Sequence, residues 1–182
     1  KEVKTASMTL FGNLRKLQVS DIYAMRPLSC KLKIIEADKK MHTQLEAQDV
    51  TIGRGVGAFG FNDVVASGKI PKATAVNELL QRLELTEELI DLTARSGVDG
   101  LDAFVYEGTE AVGRSTRIRF SITCTGSFLT IRDLVSRVNH ARYFFVVRSL
   151  GLSGADAGRV SAKIEVDYLI FHELDEVLAD AS

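Results

Sequence analysis

Proline and cysteine are scarce in this chain, and no stretch of it stays apolar for long. Two prolines and 14 glycines among 182 residues argue against a disordered linker or a low-complexity tract. The two cysteines, Cys30 and Cys124, stand far apart and fit neither a disulfide framework nor a zinc pattern. The three histidines, His42, His140 and His172, are widely separated. None has a second His, Cys or Asp at metal-ligand spacing, so no metal centre or cofactor is expected. No run approaches the roughly 18 apolar residues of a membrane-spanning helix, and no signal peptide is visible. Because the chain begins at Lys1 rather than Met, we expect that an upstream segment has been removed, with a membrane anchor as one candidate. Net charge is also lacking. A formal −1 and a pI near 6.4 remove the electrostatic footprint of a nucleic-acid binder, and no nucleic-acid partner is expected.

What is present is the composition of a folding globular protein, 46% hydrophobic and 26% charged, with enough apolar residues for a sizeable core. Residues 1–48 read as a helical lead-in of coiled-coil type. Met8, Phe11, Leu14, Leu17 and Val19 fall at helical intervals, Arg26-Pro27 interrupts them, and a second, largely exposed helix carries Leu32, Ile35, Lys39, His42 and Leu45 along one side. Val50-Thr51-Ile52 favours a short strand. The glycines at 53, 55, 57 and 60 then suggest a mobile loop, with Phe59 and Phe61 returning toward a sheet. From Thr74, a candidate cap, Val76, Leu79, Leu80, Leu83, Leu85, Leu89, Ile90 and Leu92 predict a helix closed by Gly97. Its Glu84, Glu87, Glu88 and Asp91 are expected to form a solvated face.

After Gly97 the period changes from about 3.6 to 2. Leu101–Tyr106 predicts a strand and Glu107–Gly113 a turn. Ile118, Phe120, Ile122 and Cys124 alternate with Arg117, Arg119, Ser121, Thr123 and Thr125, as in a half-buried antiparallel strand. Ser127 is placed to cap a helix striped by Ile131, Leu134, Val135, Val138 and Ala141. A strand over 143–150 and a turn over 151–158 lead into a final strand, in which Val160, Ala162, Ile164, Val166, Tyr168 and Ile170 share one face. Together these predict an α+β fold of ferredoxin-like βαββ units, with a mostly antiparallel sheet and helices on one face. The domain is expected over 49–174, with half-units at 49–112 and 113–174 forming a candidate structural repeat, and a tail at 175–182.

Candidate chemistry is thin. The glycine cluster at 53–57 invites a phosphate-loop reading, but no Walker or dinucleotide pattern surrounds it. Cys124 lies on the apolar phase of its strand and behaves as a small hydrophobe. His140, in the last turn of its helix, complements the helix dipole together with Arg142, and His172 is read as solvated. No nucleophile elbow exists and no catalytic residue is assigned. Arg114, Arg117, Arg119, Arg132, Arg137 and Arg142 form a candidate basic patch, without the aromatic residues that stack bases. One feature suggests association. The run from Tyr143 to Val147, and Leu169, Ile170 and Phe171 at the end of the last strand, do not alternate, so both sheet faces are apolar there. Tyr143, Phe145, Val147, Leu169 and Phe171 are the candidate interface residues. Cover by the chain's own first helices is the competing reading.

Three stretches together resemble a known family: Ile118 to Phe128 (IRFSITCTGSF), Asn139 to Leu150 (NHARYFFVVRSL) and Val160 to Tyr168 (VSAKIEVDY). They are similar to the C-terminal half of PilO-type proteins of the type IV pilus inner-membrane alignment subcomplex, which are related to the M component of type II secretion. The likeness covers about residues 115–172, and more loosely Phe59 to Tyr106. It implies a periplasmic ferredoxin-like domain held to the inner membrane by an N-terminal helix and a coiled-coil segment. It also implies a homodimer or a pairing with a sister pilus-platform subunit, and no catalytic residues. The anchor is absent from this sequence. A non-enzymatic assembly subunit is therefore the first expectation. The second is a small-molecule-binding regulatory domain that uses the 53–60 loop and the sheet face.

Overall fold

The computed structural model describes residues 25–113, 115–155 and 158–171. The helix expected over 5–19, His172 and the 175–182 tail lie outside them. The first described helix, α1 (Pro27–Glu46), starts with proline at a position where its missing N–H removes no hydrogen bond. Its buried row is Cys30, Ile34, Ala37, Met41 and Leu45, stepping by three and four residues. This corrects the sequence reading: Leu32 is 58% exposed, and only Leu45 of the predicted row is buried. Small and sulfur-containing side chains carry the inward stripe as well as branched ones do. Met41 and Leu45 join the main core, while Cys30, Ile34 and Ala37 join a second cluster with Phe61, Val76 and Leu83. The described part of the lead-in, 25–48, is thus built into the domain.

After β1 (Thr51–Gly55), a glycine turn leads to α2 (Asn62–Val65), a 3-10 turn at Ala73–Ala75 and then α3 (Val76–Ser96). Phe59 and Phe61 do not return to the sheet; both are fully buried in the turn. No side chain caps α3, whose N-cap is Ala75, so Thr74 does not serve there. Gly97 closes α3 with φ of 73°, a conformation that favours glycine. The remaining elements are β2 (Gly100–Val112), β3 (Ser115–Gly126), α4 (Phe128–Asn139), β4 (Phe145–Gly154) and β5 (Val160–Phe171). Ser127 caps α4 as expected, its hydroxyl accepting from the Thr130 N–H at 3.2 Å.

The five strands form one sheet in the order β1-β2-β3-β5-β4, with β1 parallel to β2 and every other neighbouring pair antiparallel. In the second half, α4 links β3 to β4 and β5 returns between them. In the first half, α3 links two strands that lie side by side, so the two halves share a sheet without repeating one another. Ile118, Phe120, Ile122 and Cys124 of β3 and Ala162, Ile164, Val166 and Tyr168 of β5 meet Leu85, Leu89 and Ile90 of α3 and Ile131, Leu134 and Val138 of α4.

Two strands outrun their predicted lengths. β2 continues to Val112 and β4 to Gly154, through stretches read as turns. Alternation in a sequence records one-sided burial. Where the sheet extends past its helices both faces are wet, and the ladder continues without an apolar period.

Candidate interaction surface

Among the described residues β4 is the last strand of the sheet and pairs only with β5, so within them one row of its backbone N–H and C=O groups has no strand beside it. Residues directly opposite in an antiparallel pair share a face. Phe145 faces Tyr168 and Val147 faces Val166, which places both on the helix-covered side. The register shifts between Val147 and Ser149. This bulge, one extra residue on one strand, re-aims the side chains that follow. Leu150 and Leu152 consequently fall opposite Ile164 and Ala162, on the same side as the core but beyond its cover, at 43% and 46% exposure. At the start of α4, Phe128 and Leu129 are also exposed.

Sheet edges are ordinarily blunted by lysine, proline or an inward charge. From Ser149 to Gly154 this edge has none of these. The single cation of β4, Arg148, is engaged with Glu165 at 2.7 Å and Glu107 at 3.9 Å.

The predicted interface residues separate into two groups. Tyr143 and Phe145 are buried in the core cluster and meet the Tyr168 ring edge-on at centroid distances of 6.4 and 5.9 Å. The Tyr143 hydroxyl donates to Glu84 Oε1 of α3 at 2.6 Å. Val147 packs against the same cluster. Tyr143 and Phe145 thus lie in the core of this structure rather than on its surface, while Val147 is half-buried. Among the described residues the cover over these side chains comes from α3 and α4. Leu169 is half-buried on the opposite face, paired with Arg117, and Phe171 pairs through its backbone with Ser115. The exposed apolar residues of β4 are those of the other phase and beyond the bulge, Val146, Leu150 and Leu152. No periodicity could have singled them out, since only the bulge gives the two leucines their place.

The face of the sheet away from α3 and α4 carries a lattice of opposite charges. Arg117 reaches Glu110 at 3.1 Å and Asp167 at 3.5 Å, and Arg119 reaches Glu110 at 3.6 Å. Hydrogen bonds from Ser149 and Lys163 hold the Glu165 carboxyl below its usual range. Arg137 pairs with Asp133 and Arg142 with Glu88. The arginines expected as one basic patch are therefore divided between elements and largely neutralised; Arg114 lies outside the described residues. The α3 carboxylates are not a free solvated face either. Glu84 and Glu88 tie α3 to Tyr143 and Arg142, and Asp91 accepts from Gln44 of α1 at 2.8 Å.

The glycine turn is committed to its own packing. The N–H groups of Val56, Phe59 and Phe61 donate to Gly53, Val56 and Ala58 carbonyls, and the Ala58 N–H donates to Asn62 Oδ1. Few donors remain there to cradle an anion. Among the described residues no three His, Cys, Asp or Glu side chains gather as metal ligands, and no helix is long and apolar enough to cross a membrane.

Both cysteines are buried and free. Burial, reinforced by the negative charge of Asp102, pushes the Cys124 thiol up to about 12. The fold therefore prefers the neutral thiol. That contribution is whole below the ordinary thiol pKa and is lost as pH rises toward 12. Iodoacetamide at about pH 8 is expected to leave Cys124 unmodified in the native protein and to label it once urea unfolds the chain. Native labelling at the rate of a free thiol would contradict its placement.

No protein-family model matches the sequence, and no curated protein is detectably similar to it. Solved structures share the fold. A protein from Akkermansia muciniphila superposes with a TM-score of 0.77 at 12% identity, over 90% of this chain and 86% of its own. The core domain of a protein from the same organism gives 0.77 at 13% identity, over 90% and 98%. A structure from that organism determined without its transmembrane region gives 0.74 at 13%, over 90% and 95%. The type 4 fimbrial biogenesis protein PilO from Pseudomonas aeruginosa aligns over 48% of this chain and 67% of its own, at 12% identity and a TM-score of 0.45, too low to argue from. At these identities the likeness establishes the α+β fold alone.

Proposed function

We propose that the chain is a non-enzymatic assembly subunit of a type IV pilus or type II secretion-like inner-membrane platform. It would act through homo- or hetero-dimerisation in the periplasm and be held at the membrane by an anchor outside this sequence. The observation that carries the association is the open β4 edge with Leu150 and Leu152 uncovered beside it. An added strand would fill the free backbone row, and the leucines would supply apolar contact. The choice of machine rests on the sequence resemblance to PilO-type proteins. The absence of a transmembrane segment from one structural neighbour, by design of that structure, is compatible with an anchored architecture.

The double variant Leu150→Lys/Leu152→Lys tests the edge by sedimentation equilibrium. Both side chains are well exposed, so the monomer fold should be unaffected. The dissociation constant of the self-associated form, or of the complex with a sister subunit, should rise more than about tenfold, equivalent to about 1.4 kcal/mol. Unchanged association would remove β4 from the interface. Membrane fractionation with protease treatment of intact cells and spheroplasts tests the location. Cleavage only after the outer membrane is opened supports it, and a soluble, protected protein overturns it.

A further inference from the structure

A cavity of about 340 Å³ lies between α2, the 66–75 connection and the first half of α3, with Val64, Ile70, Pro71, Ala75 and Leu79 as its apolar walls. That volume is at the lower end of the range for small-molecule sites. Arg82 borders it and is 6% exposed. Its guanidinium is held between two rings, with Cζ 4.2 Å from the Phe61 centroid and 4.4 Å from that of Tyr106. Stacking serves the two faces of a guanidinium but leaves the five N–H donors around its edge. The Nε has no hydrogen-bond partner and is itself closed off from solvent. Asp63 already accepts a hydrogen bond from a terminal nitrogen at 3.4 Å, and its own side chain is 68% exposed.

A buried cation with unfilled donors is disfavoured unless an anion completes it, and a planar carboxylate fits the guanidinium edge with two parallel hydrogen bonds. The rim carries two lysines, Lys69 and Lys72, beside two carboxylates, Asp63 and Glu78. Lys69 and Lys72 line the cavity and enter no ion pair among the described residues, whereas Glu78 already accepts from the Tyr106 hydroxyl at 3.1 Å. The Lys31 ammonium donates to the carbonyls of Ser67 and Lys69, which fixes the connection that forms one wall.

We propose that this cavity binds a carboxylate on a short branched apolar stem. The acid lies on the edge of Arg82, and the stem lies against Ile70, Pro71 and Leu79. Two sources share this chemistry, a free branched-chain acid and the C-terminus of a peptide ending in leucine. The site is remote in sequence and element from β4, so it stands or falls separately from the assembly role.

The test is an amide-resolved NMR titration of the full chain with isocaproate, with isocaproamide as its neutral counterpart, and with a short leucine-terminated peptide in free-acid and amidated forms. The acids are expected to shift resonances across 63–82 in a saturable way, and their amides at least tenfold more weakly. Arg82→Gln should weaken acid binding at least tenfold. Ile70→Asp, at a position 56% exposed, should do the same by repulsion and decides the matter should Arg82→Gln fail to fold. Whichever acid saturates first identifies the source. Equal binding of acid and amide, or no saturable shift up to about 10 mM, where binding would be weaker than the ~4 kcal/mol of a millimolar complex, overturns the proposal.

Discussion

Phe120→Ala is expected to destabilise the chain by about 3–5 kcal/mol in urea unfolding, a large part of the ~5–15 kcal/mol that holds a typical domain together. Phe120 is fully buried in the central strand β3, opposite Val166 of β5 and Tyr106 of β2. Its ring lies 5.9 Å from Phe104 and 6.0 Å from Tyr106. From Phe104 the aromatic contacts run to Phe59 at 6.2 Å and on to His42 of α1 at 4.6 Å. Removing the ring therefore opens a cavity in the sheet and loosens the column that joins the sheet to the glycine turn and the first helix. The neighbours sit on regular strands and helices and cannot collapse freely into the space, which favours the upper part of the range. Leu152→Ala provides the contrast. It should change monomer stability by no more than about 0.5 kcal/mol, because that side chain is already 46% exposed in the folded structure. A loss below about 1 kcal/mol for Phe120→Ala would mean that β3 is not the centre of the core.

The difference between these two residues also marks what could be read from the sequence. β3, β5, α3 and α4 were legible because each is buried on one side along most of its length, and burial imprints a period. Leu150 and Leu152 were not, since their orientation depends on a bulge that leaves no mark in the local pattern. Tyr143 and Phe145 were misplaced for a related reason. Their apolar run looks two-sided in sequence, yet Phe145 is core and Phe144 and Val146 are exposed. The parallel pairing of β1 with β2 is a tertiary fact, fixed by a crossover through α3. Arg82 was passed over although a signal existed: it falls within the inward stripe of α3, three residues after Leu79 and four before the buried Thr86. A cation on a core face needs either a partner or a purpose. The aromatic cradle formed by Phe61 and Tyr106 is assembled from residues 21 and 24 positions away, beyond the reach of any local pattern.

Gly53→Ala should lower stability by about 1–3 kcal/mol, for a reason unrelated to loop mobility or anion binding. A Cβ at Gly53 would lie 2.7 Å from the Asp102 carbonyl oxygen and 2.8 Å from its Cα, and one at Gly55 would also lie 2.7 Å from that oxygen. Backbone atoms cannot swing aside as a flexible side chain can. The crowding has a local cause. The β2–β3 register shifts between Leu101 and Ala103, and the β1–β2 register shifts between Ile52 and Gly55, so Asp102 occupies an irregular step that β1 must approach closely. The Thr125 hydroxyl, donating to Asp102 Oδ2 at 2.6 Å, restrains that residue from the β3 side. With Asp102 pinned, relief must come from β1 moving outward, which breaks the only pairing that strand makes among the described residues. Hydrogen exchange should then show faster loss of protection at Thr51, whose N–H donates to the Asp99 carbonyl at 2.9 Å, than at β3 or β5 amides. Gly68→Ala is the matched control. No atom lies within 4 Å of its Cβ position, and the change should be neutral or stabilising by up to about 1 kcal/mol through the unfolded chain. A ligand-binding loop predicts the reverse, with Gly53→Ala as stable as the parent and defective only when a ligand is added. Destabilisation confined to the β1 edge would establish the glycines as the means by which the strand fits against a bulge.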